Sequence, residues 1–267
     1  MRPVRLVAVL AALHAAAVGQ QARVFQTASL ARFDEQLARD EQMGAPVPAV
    51  KRLSDLVQRL GGADPKLGRP VFQSGRGARG EVLIAAGTAE QLADAQRVFD
   101  QLKRPDVVQA RLQCSLVTMP IAVARDHGLK PGEVVATDEP AAARMVRDAV
   151  KRDGTLRNLT EIVAGPLAPF ARDTGDKGAG KQQAALRLRG EMVPMGDGEV
   201  AVGVHVVRGK LPHDPTQVPE SALMQPVFRL AAGQSALFMV VDRDVATVLV
   251  VRCLEVTNEA PRETAAR

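Results

Sequence analysis

Apolar residues in the first hundred positions follow two kinds of spacing. Some recur every three or four residues, as on a helix with one buried face, and others form short runs bounded by Gly and Pro, which are typical of strands. The second helical segment ends at Gly61-Gly62, a common C-terminal signal. The predicted elements are helices over residues 30–44 and 48–60 and strands over residues 24–26, 70–73 and 81–86.

Thr88 begins the clearest helix of the chain. Gln91 follows three residues later, so the two side chains can form a capping box with the helix backbone. One apolar stripe runs along this helix and consists of Leu92, Ala95, Phe99 and Leu102. Pro105 ends the segment, and the order strand, helices, two strands, helix predicts that residues 20–105 fold as a small α+β domain.

Beyond Pro105 the period of the apolar positions changes to two, which is the period of a strand. A helix is predicted over residues 139–151, and the apolar segment at residues 155–165 is too short to assign. Strands are predicted over residues 110–117, 186–192, 200–206, 227–230, 235–241 and 245–256. The predicted fold class is therefore α+β, with a β-rich domain over residues 106–257 after the small α+β domain. The polar residues 258–267 predict a disordered tail.

The beginning of the chain has the pattern of an export signal. Arg2 and Arg5 precede an apolar run over residues 6–18 that is too short to span a bilayer. This pattern predicts a cleavable signal peptide over residues 1–19, with cleavage after Gly19 and Ala22 as the alternative site. We therefore expect an exported protein. No second apolar stretch of about 18 residues follows, so we expect no helical membrane anchor.

Composition narrows the classes of function. The formal net charge of +5 falls by two once Arg2 and Arg5 are removed, and so modest an excess in an exported chain predicts no nucleic-acid partner. The chain has no Trp, no Tyr and 7 Phe, so its core must be aliphatic. The aromatic girdle expected of a lipid-facing barrel is missing.

Two cysteines, Cys114 and Cys253, lie in segments predicted as strands. An even number of cysteines in an exported protein is compatible with a disulfide between them. The alternative is a pair of buried free thiols, because an isolated Cys often packs as a small apolar residue. The sequence leaves both alternatives open.

Two segments resemble parts of nucleotide-binding or protease motifs, and both are incomplete. Residues 175–181 have the glycine and lysine spacing of a phosphate-binding loop, but Gln182 stands where a Ser or Thr hydroxyl must hold magnesium. Asp173 begins an Asp-Thr-Gly tripeptide, which aspartic proteases need twice. It occurs once here and follows Arg172 instead of an apolar strand. We expect neither activity.

Ser235 lies in the segment Gly-Gln-Ser-Ala-Leu, which begins like the nucleophile elbow of a hydrolase but has Leu237 where the turn requires Gly. We predict that Ser235 is a strand residue after a glycine turn. The histidines at positions 127, 205 and 213 lack the spacing of metal ligands. We therefore predict no catalytic, cofactor-binding or metal-binding residues, no cofactor, and no enzymatic activity.

Six segments carry a resemblance to a known family. They are residues 80–105, which end with Leu-x-x-Pro, and residues 109–117, 163–166, 188–202, 230–235 and 248–251. In this order they resemble the secretin family, the ring-forming channel subunits of type II and type III secretion systems, and particularly its short secretin-like members. The first segment is similar to the end of a periplasmic N-domain, and the others are similar to strands and turns of the secretin domain.

The resemblance implies a secretin-like protein of the periplasm or outer membrane that forms or supports an oligomeric ring for protein secretion. It also implies other secretion-system or envelope proteins as partners. The region that would correspond to the membrane-crossing strands is short, and one N-domain is present where full secretins usually carry several. The alternative is therefore a soluble periplasmic scaffold or binding module that has the fold and lacks the pore. The sequence leaves membrane association open.

Overall fold

The fold is described from a computed structural model of the chain. The structure describes residues 21–27, 30, 33, 49–60, 68–77, 80–104, 107–167, 170–173, 186–208 and 222–259. Over these residues the fold is α+β, which confirms the expected fold class. The chain divides into two compact units, and the main division lies between Pro105 and Asp106. Among the described helices, none is long and apolar enough to cross a membrane. The predicted signal peptide and the loop over residues 175–181 lie outside the described residues.

In its described residues, the first unit contains one antiparallel sheet and two long helices. Its strands are β1 (Gln21–Gln26), β2 (Val71–Gly77) and β3 (Gly80–Gly87), and its helices are α1 (Ala49–Leu60) and α2 (Ala89–Leu102). β3 pairs with β1 on one edge and with β2 on the other. Four consecutive residues of β3, from Val82 to Ala85, are buried, so both faces of this central strand are covered.

The capping box predicted for α2 is present. The Thr88 hydroxyl accepts a hydrogen bond from the Gln91 backbone amide at 3.2 Å, and the Gln91 side-chain carbonyl accepts one from the Thr88 amide at 2.8 Å. Further along α2, Phe99 stacks on Phe25 of β1 with ring centroids 4.5 Å apart and an interplanar angle of 10°. The cap begins the helix, and the ring pair attaches it to the sheet.

Over its described residues, the second unit has two sheets and two helices. The strands are β4 (Val107–Pro120), β5 (Val134–Asp138), β6 (Thr155–Ala164), β7 (Phe170–Asp173), β8 (Leu186–Gly196), β9 (Glu199–Arg208), β10 (Ala222–Met224), β11 (Val227–Ala231), β12 (Gln234–Asp242) and β13 (Val245–Glu259). One sheet has the strand order β5-β12-β13-β4-β6. The other has the order β10-β9-β8-β7, with β11 also paired to β9. The helices are α3 (Ile121–Asp126) and α4 (Glu139–Lys151).

The five-stranded sheet has a different apolar partner on each of its faces. On one face, residues such as Leu112, Leu249 and Val251 pack in one cluster with Val202 and Phe228 of the other sheet. On the opposite face, a second cluster joins the sheet to α3 and α4, and it includes Val117, Met119, Val248, Ala124 and Met145. The unit therefore has three layers, a sheet, a second sheet and a pair of helices.

Five elements of the second unit are additions to the sequence prediction. One is β6, the ten-residue strand at the apolar segment that the sequence left unassigned, and the other four are the short elements α3, β5, β7 and β10. Each of these four short elements has six residues or fewer, too few for hydrophobic periodicity to identify it. The predicted hairpin at Gly196-Asp197-Gly198 is present, and Asp197 and Gly198 both have positive φ angles of 53° and 75°. Two adjacent positive φ angles are the signature of the type I′ turn that suits a twisted hairpin.

We predict that Thr88→Ala weakens the start of α2, because it removes the hydroxyl that accepts the Gln91 amide. The expected cost is about 1 kcal/mol. Hydrogen exchange of the α2 amides, followed by mass spectrometry, measures the loss of protection. Thr88→Ser keeps the oxygen and is the matched control. Equal protection in Thr88→Ala and Thr88→Ser would show that the cap does not stabilise this helix.

Candidate functional site

One face of the five-stranded sheet carries a continuous line of polar residues. Strand pairing places five residues directly opposite one another across all five strands. Because paired residues of neighbouring strands point to the same face, their side chains form a row. This polar row consists, in order, of Thr137, Ser235, Arg252, Gln113 and Glu161.

The same face becomes apolar a few residues further along each strand. On β12 and β13, the next pair on this face after Ser235 and Arg252 is Leu237 with Val250. The pair after that is Met239 with Val248. These four residues belong to the cluster beneath α3 and α4. The sheet face therefore has an apolar end, which the helices cover, and a polar end at the polar row.

The beginning of α4 is attached to the polar end. The Asp138 carboxylate accepts a hydrogen bond from the Ala141 amide at 2.8 Å and caps the helix. The next residue, Glu139, forms an ion pair with Arg252 of the polar row. The cap and the ion pair together set where the helix starts above the sheet.

A cavity of about 300 Å³ lies between α4 and this part of the sheet. That volume is at the lower end of the range for small-molecule sites. Its apolar lining consists of Ala142, Ala143, Val146, Leu156 and Val250. Its polar lining consists of Gln113, Ser115, Glu139, Arg147, Ser235 and Arg252.

Two polar atoms at this cavity are buried without a hydrogen-bond partner among the described residues. Ser235 is completely buried, and its hydroxyl makes no hydrogen bond there. The Nε of Arg252 is also buried and unpaired, although its guanidinium contacts Glu139 through another nitrogen. An unpaired buried polar group costs about 1–3 kcal/mol, so two of them at one cavity indicate a place where a polar ligand group would be stabilised.

The charges at the cavity are not balanced. Arg252 is paired with Glu139, whereas no ion pair of Arg147 occurs among the described residues. Arg147 lies on the exposed side of α4 and lines the cavity. The lining therefore has one positive charge in excess. Its unpaired groups are the Nε–H donor of Arg252 and the hydroxyl of Ser235. This chemistry favours an anionic or acceptor-rich ligand.

A small surface network of ion pairs joins Arg111 to Glu161, the last member of the polar row, and to Glu255. The Nε of Arg111 lies 2.6 Å from a Glu161 oxygen, and one of its terminal nitrogens lies 3.9 Å from a Glu255 oxygen. All three side chains are about half exposed, so water screens the charges and the network contributes little to stability.

Cys114 and Cys253 lie on the opposite face of the sheet from the cavity, and both are free, buried thiols. Cys114 pairs with Val251 and Cys253 pairs with Leu112, so the two cysteines are diagonal neighbours on β4 and β13. Diagonal Cα atoms lie about 7–8 Å apart, beyond the usual span of a disulfide. The register therefore supports the buried-thiol alternative, and a disulfide would require the strands to shift.

Burial changes the chemistry of both thiols. It raises the pKa of the Cys114 thiol to about 12, because the thiolate cannot be solvated between the two sheets. Burial also raises the pKa of Cys253, whose thiol lies 3.7 Å from the Glu255 carbonyl oxygen and can donate to it. Neither residue has the lowered pKa of a reactive cysteine.

The structure keeps the other singled-out residues apart from the cavity. His127 forms a contact of 3.2 Å with Asp148 between the end of α3 and α4. His205 lies on β9, and His213 lies outside the described residues. Over the described part of the chain, no group of three potential ligands is arranged for a metal ion.

Asp173 is the last residue of β7, a short strand that the sequence did not predict. That strand has four residues and includes Arg172. Ser235 is a strand residue of β12 that follows the turn at Gly233, as predicted.

Of the residues that form the cavity, the sequence patterns single out Ser235 alone, and they predict it as a strand residue and not as part of a binding site. A signal exists in β4, where alternate residues change from Arg111, Gln113 and Ser115 to Val117 and Met119. This change marks the boundary between the polar and apolar ends of one sheet face. The contribution of α4, and the pairing that brings Ser235 beside Arg252, require the tertiary structure.

Comparison with solved structures finds secretins. The chain is similar to the type II secretion secretin XcpQ from Pseudomonas aeruginosa, with 7% identity, a TM-score of 0.31, and coverage of 89% of this chain and 75% of that one. It is similar to the type IV competence pilus secretin PilQ from V. cholerae, with 8% identity, a TM-score of 0.29, and coverage of 95% and 82%.

A third similar structure is the secretin domain of InvG from the Salmonella SPI-1 injectisome, with 10% identity, a TM-score of 0.25, and coverage of 73% and 76%. No protein-family model and no curated protein matches the chain. Since all three TM-scores lie below 0.5, the likeness establishes neither an oligomeric state nor a pore.

We predict that both cysteines are reduced and protected in the folded protein. Iodoacetamide should modify neither thiol at pH 8 under native conditions, because both are buried and protonated. In denaturant without reductant it should modify both. Mass spectrometry of the intact protein measures the number of adducts. No adduct in denaturant, followed by two after reduction, would demonstrate a disulfide.

The raised pKa of Cys114 predicts a loss of stability in alkali. Below the ordinary thiol pKa of roughly 8.5–9, the thiol is protonated in both the folded and the unfolded chain. In that range it does not make the free energy of unfolding depend on pH. Between that pH and about 12 the unfolded chain releases the proton first, so the free energy of unfolding falls as pH rises. Urea unfolding at several pH values should show a steeper fall in wild type than in Cys114→Ala, by up to about 1.4 kcal/mol per pH unit. Parallel pH profiles would contradict the prediction.

Proposed function

We propose that this chain is a secretin-like envelope protein that associates with copies of itself and forms or supports an oligomeric ring. The family is suggested by the ordered segments that resemble the secretin domain and the end of an N-domain. The self-association is suggested by an observation independent of that resemblance, the position of the exposed apolar side chains.

Large apolar residues that remain exposed are concentrated on the outer strands of the sheets. Six of the eight in the described residues lie on β1, β2, β5, β6 or β10, which are the end strands of their sheets. They are Val24, Val71, Val134, Leu156, Val163 and Leu223. Scattered exposed apolar residues would need no explanation, but this concentration on sheet edges does.

An outer strand offers backbone amides and carbonyls to another strand. Proteins that remain monomeric usually protect such edges with charges, Pro or bulges, because exposed edges pair with other chains. On β6, Val163 is 64% exposed, and Leu156 is also exposed at the other end of the strand. The pairing of β6 has one irregularity, opposite Cys114 and Ser115, and Val163 lies beyond it. At that end of the strand, an exposed β-branched side chain favours the addition of a strand from a second chain.

The remaining parts of the proposal rest on the sequence. The signal-peptide pattern favours export to the periplasm or outer membrane, with other envelope or secretion proteins as partners and no nucleic acid. The incomplete motifs at Asp173 and Ser235 favour a protein that is not an enzyme and needs no cofactor.

The cavity beside α4 favours the alternative function, a soluble periplasmic scaffold or binding module with the same fold. A closed ring does not require a cavity whose lining contains an unpaired buried hydroxyl. Fractionation separates the two functions, since a membrane-associated ring sediments with outer membranes and a soluble module does not.

We predict that the mature protein, residues 20–267, forms a large and uniform oligomer, and that Val163→Lys reduces its size. A lysine at this edge places a charge where a second strand would pair. Size-exclusion chromatography with light scattering, with and without detergent, measures the mass. Val150→Lys is the matched control, because Val150 is 51% exposed but lies on α4. A wild-type monomer in both conditions would rule out self-assembly, and equal effects of the two variants would rule out the β6 edge.

A further inference from the structure

We infer that the cavity between α4 and the polar row is a binding site for a small aliphatic carboxylate. The inference goes beyond the proposed ring and does not depend on it, because all residues of the site belong to the second unit of a single chain.

The strongest observation is the state of Ser235. Its side chain is fully buried, lines the cavity, and has no hydrogen-bond partner among the described residues. If this position had only a structural role, Ala would be the more stable choice. Ala fits the same space and does not carry the cost of a buried unpaired hydroxyl. A ligand atom in the cavity would provide the missing partner.

The neighbouring groups determine the class of ligand. Arg252 is directly paired with Ser235 across β12 and β13, and its Nε is a buried donor without an acceptor. Gln113 is the next member of the polar row, and its amide nitrogen provides a further donor. Arg147, which also lines the cavity, adds a guanidinium. Several donors around one space, with one excess positive charge, suit the two oxygens of a carboxylate.

The remaining walls are aliphatic. They consist of Ala142, Ala143 and Val146 of α4, Val250 of β13 and Leu156 of β6. A ligand with a carboxylate at the donors therefore needs a short branched or linear hydrocarbon to fill the rest of the space. The volume of about 300 Å³ accommodates a molecule of this size and excludes a large cofactor.

The small carboxylate could be a free acid or the C-terminal residue of a peptide with an aliphatic side chain. Both present the same chemistry to the cavity. Titration calorimetry with 4-methylpentanoate tests the first source, and titration with acetyl-Gly-Leu tests the second. The matching amides, 4-methylpentanamide and acetyl-Gly-leucinamide, have the same shape without the charge and are the ligand controls.

The expected result is binding of at least one acid and at least tenfold weaker binding of its amide, because a charge-assisted hydrogen bond is lost. Arg147→Gln should weaken binding of the acid about tenfold. Arg144→Gln should leave it unchanged, since Arg144 lies one turn earlier on the exposed side of α4 and does not line the cavity. Stronger binding of the peptide than of the free acid would identify a chain terminus as the ligand.

Ser235→Ala separates a binding role from a packing role. Without ligand, this variant should unfold at the same or a higher temperature than wild type, because an unpaired hydroxyl is removed. With saturating 4-methylpentanoate or acetyl-Gly-Leu, wild type should gain thermal stability and the variant should gain less.

Two results would overturn the inference. One is the absence of binding of either acid to wild type at millimolar concentration. The other is equal affinity for acid and amide, or for wild type and Arg147→Gln, since then the donors at the cavity do not recognise a carboxylate. Because every residue that lines the cavity belongs to the second unit of one chain, these measurements on the full protein test the cavity separately from ring formation.

Discussion

The pairing of β4 with β13 is the constraint on which the second unit depends. These strands have 14 and 15 residues and remain paired along their whole length, apart from one shift after Cys253. In strands of this length the alternation of side chains divides every residue between two faces. A slip by one residue would move Leu112 and Val251 out of the core between the sheets and bring Gln113 and Arg252 into it, so the two faces fix the register together.

The two faces perform different tasks. The face toward the other sheet is apolar over the residues that pack between the two sheets, and the two cysteines are part of that packing, which explains why burial raises the pKa of each thiol. The helix-covered face is apolar only where α3 and α4 lie. The bulge in β13 between Cys253 and Glu255 keeps Val256 on the core side and leaves Glu255 beside Arg111. One strand pair thus supports both a core and a polar surface.

The cavity arises where the helix and the polar end of the sheet meet. Asp138 and Glu139 attach the start of α4 to the sheet, so the helix covers part of the polar row as well as the apolar rows. Covering a polar row without pairing all of its groups is unfavourable, and Ser235 and Arg252 carry that cost. Unfavourable features of this kind, such as buried polar groups without partners, are expected where a protein binds a ligand or a partner. The exposed valines on the outer strands are a second unfavourable feature, because they leave apolar side chains in contact with water at sheet edges.

The sequence by itself determined the α+β class, the capped helix at Thr88, the hairpin at Asp197 and the long strands, because these depend on local periodicity, caps and turn residues. It did not reveal the short elements α3, β5, β7 and β10, which contain too few residues to show a period. Nor did it reveal the cavity or the diagonal placement of Cys114 and Cys253. Those depend on which strands become neighbours, in which register, and on where α4 lies above them. Pairings between residues more than a hundred positions apart are decided by the burial of both sheet faces at once, which only the tertiary structure brings about.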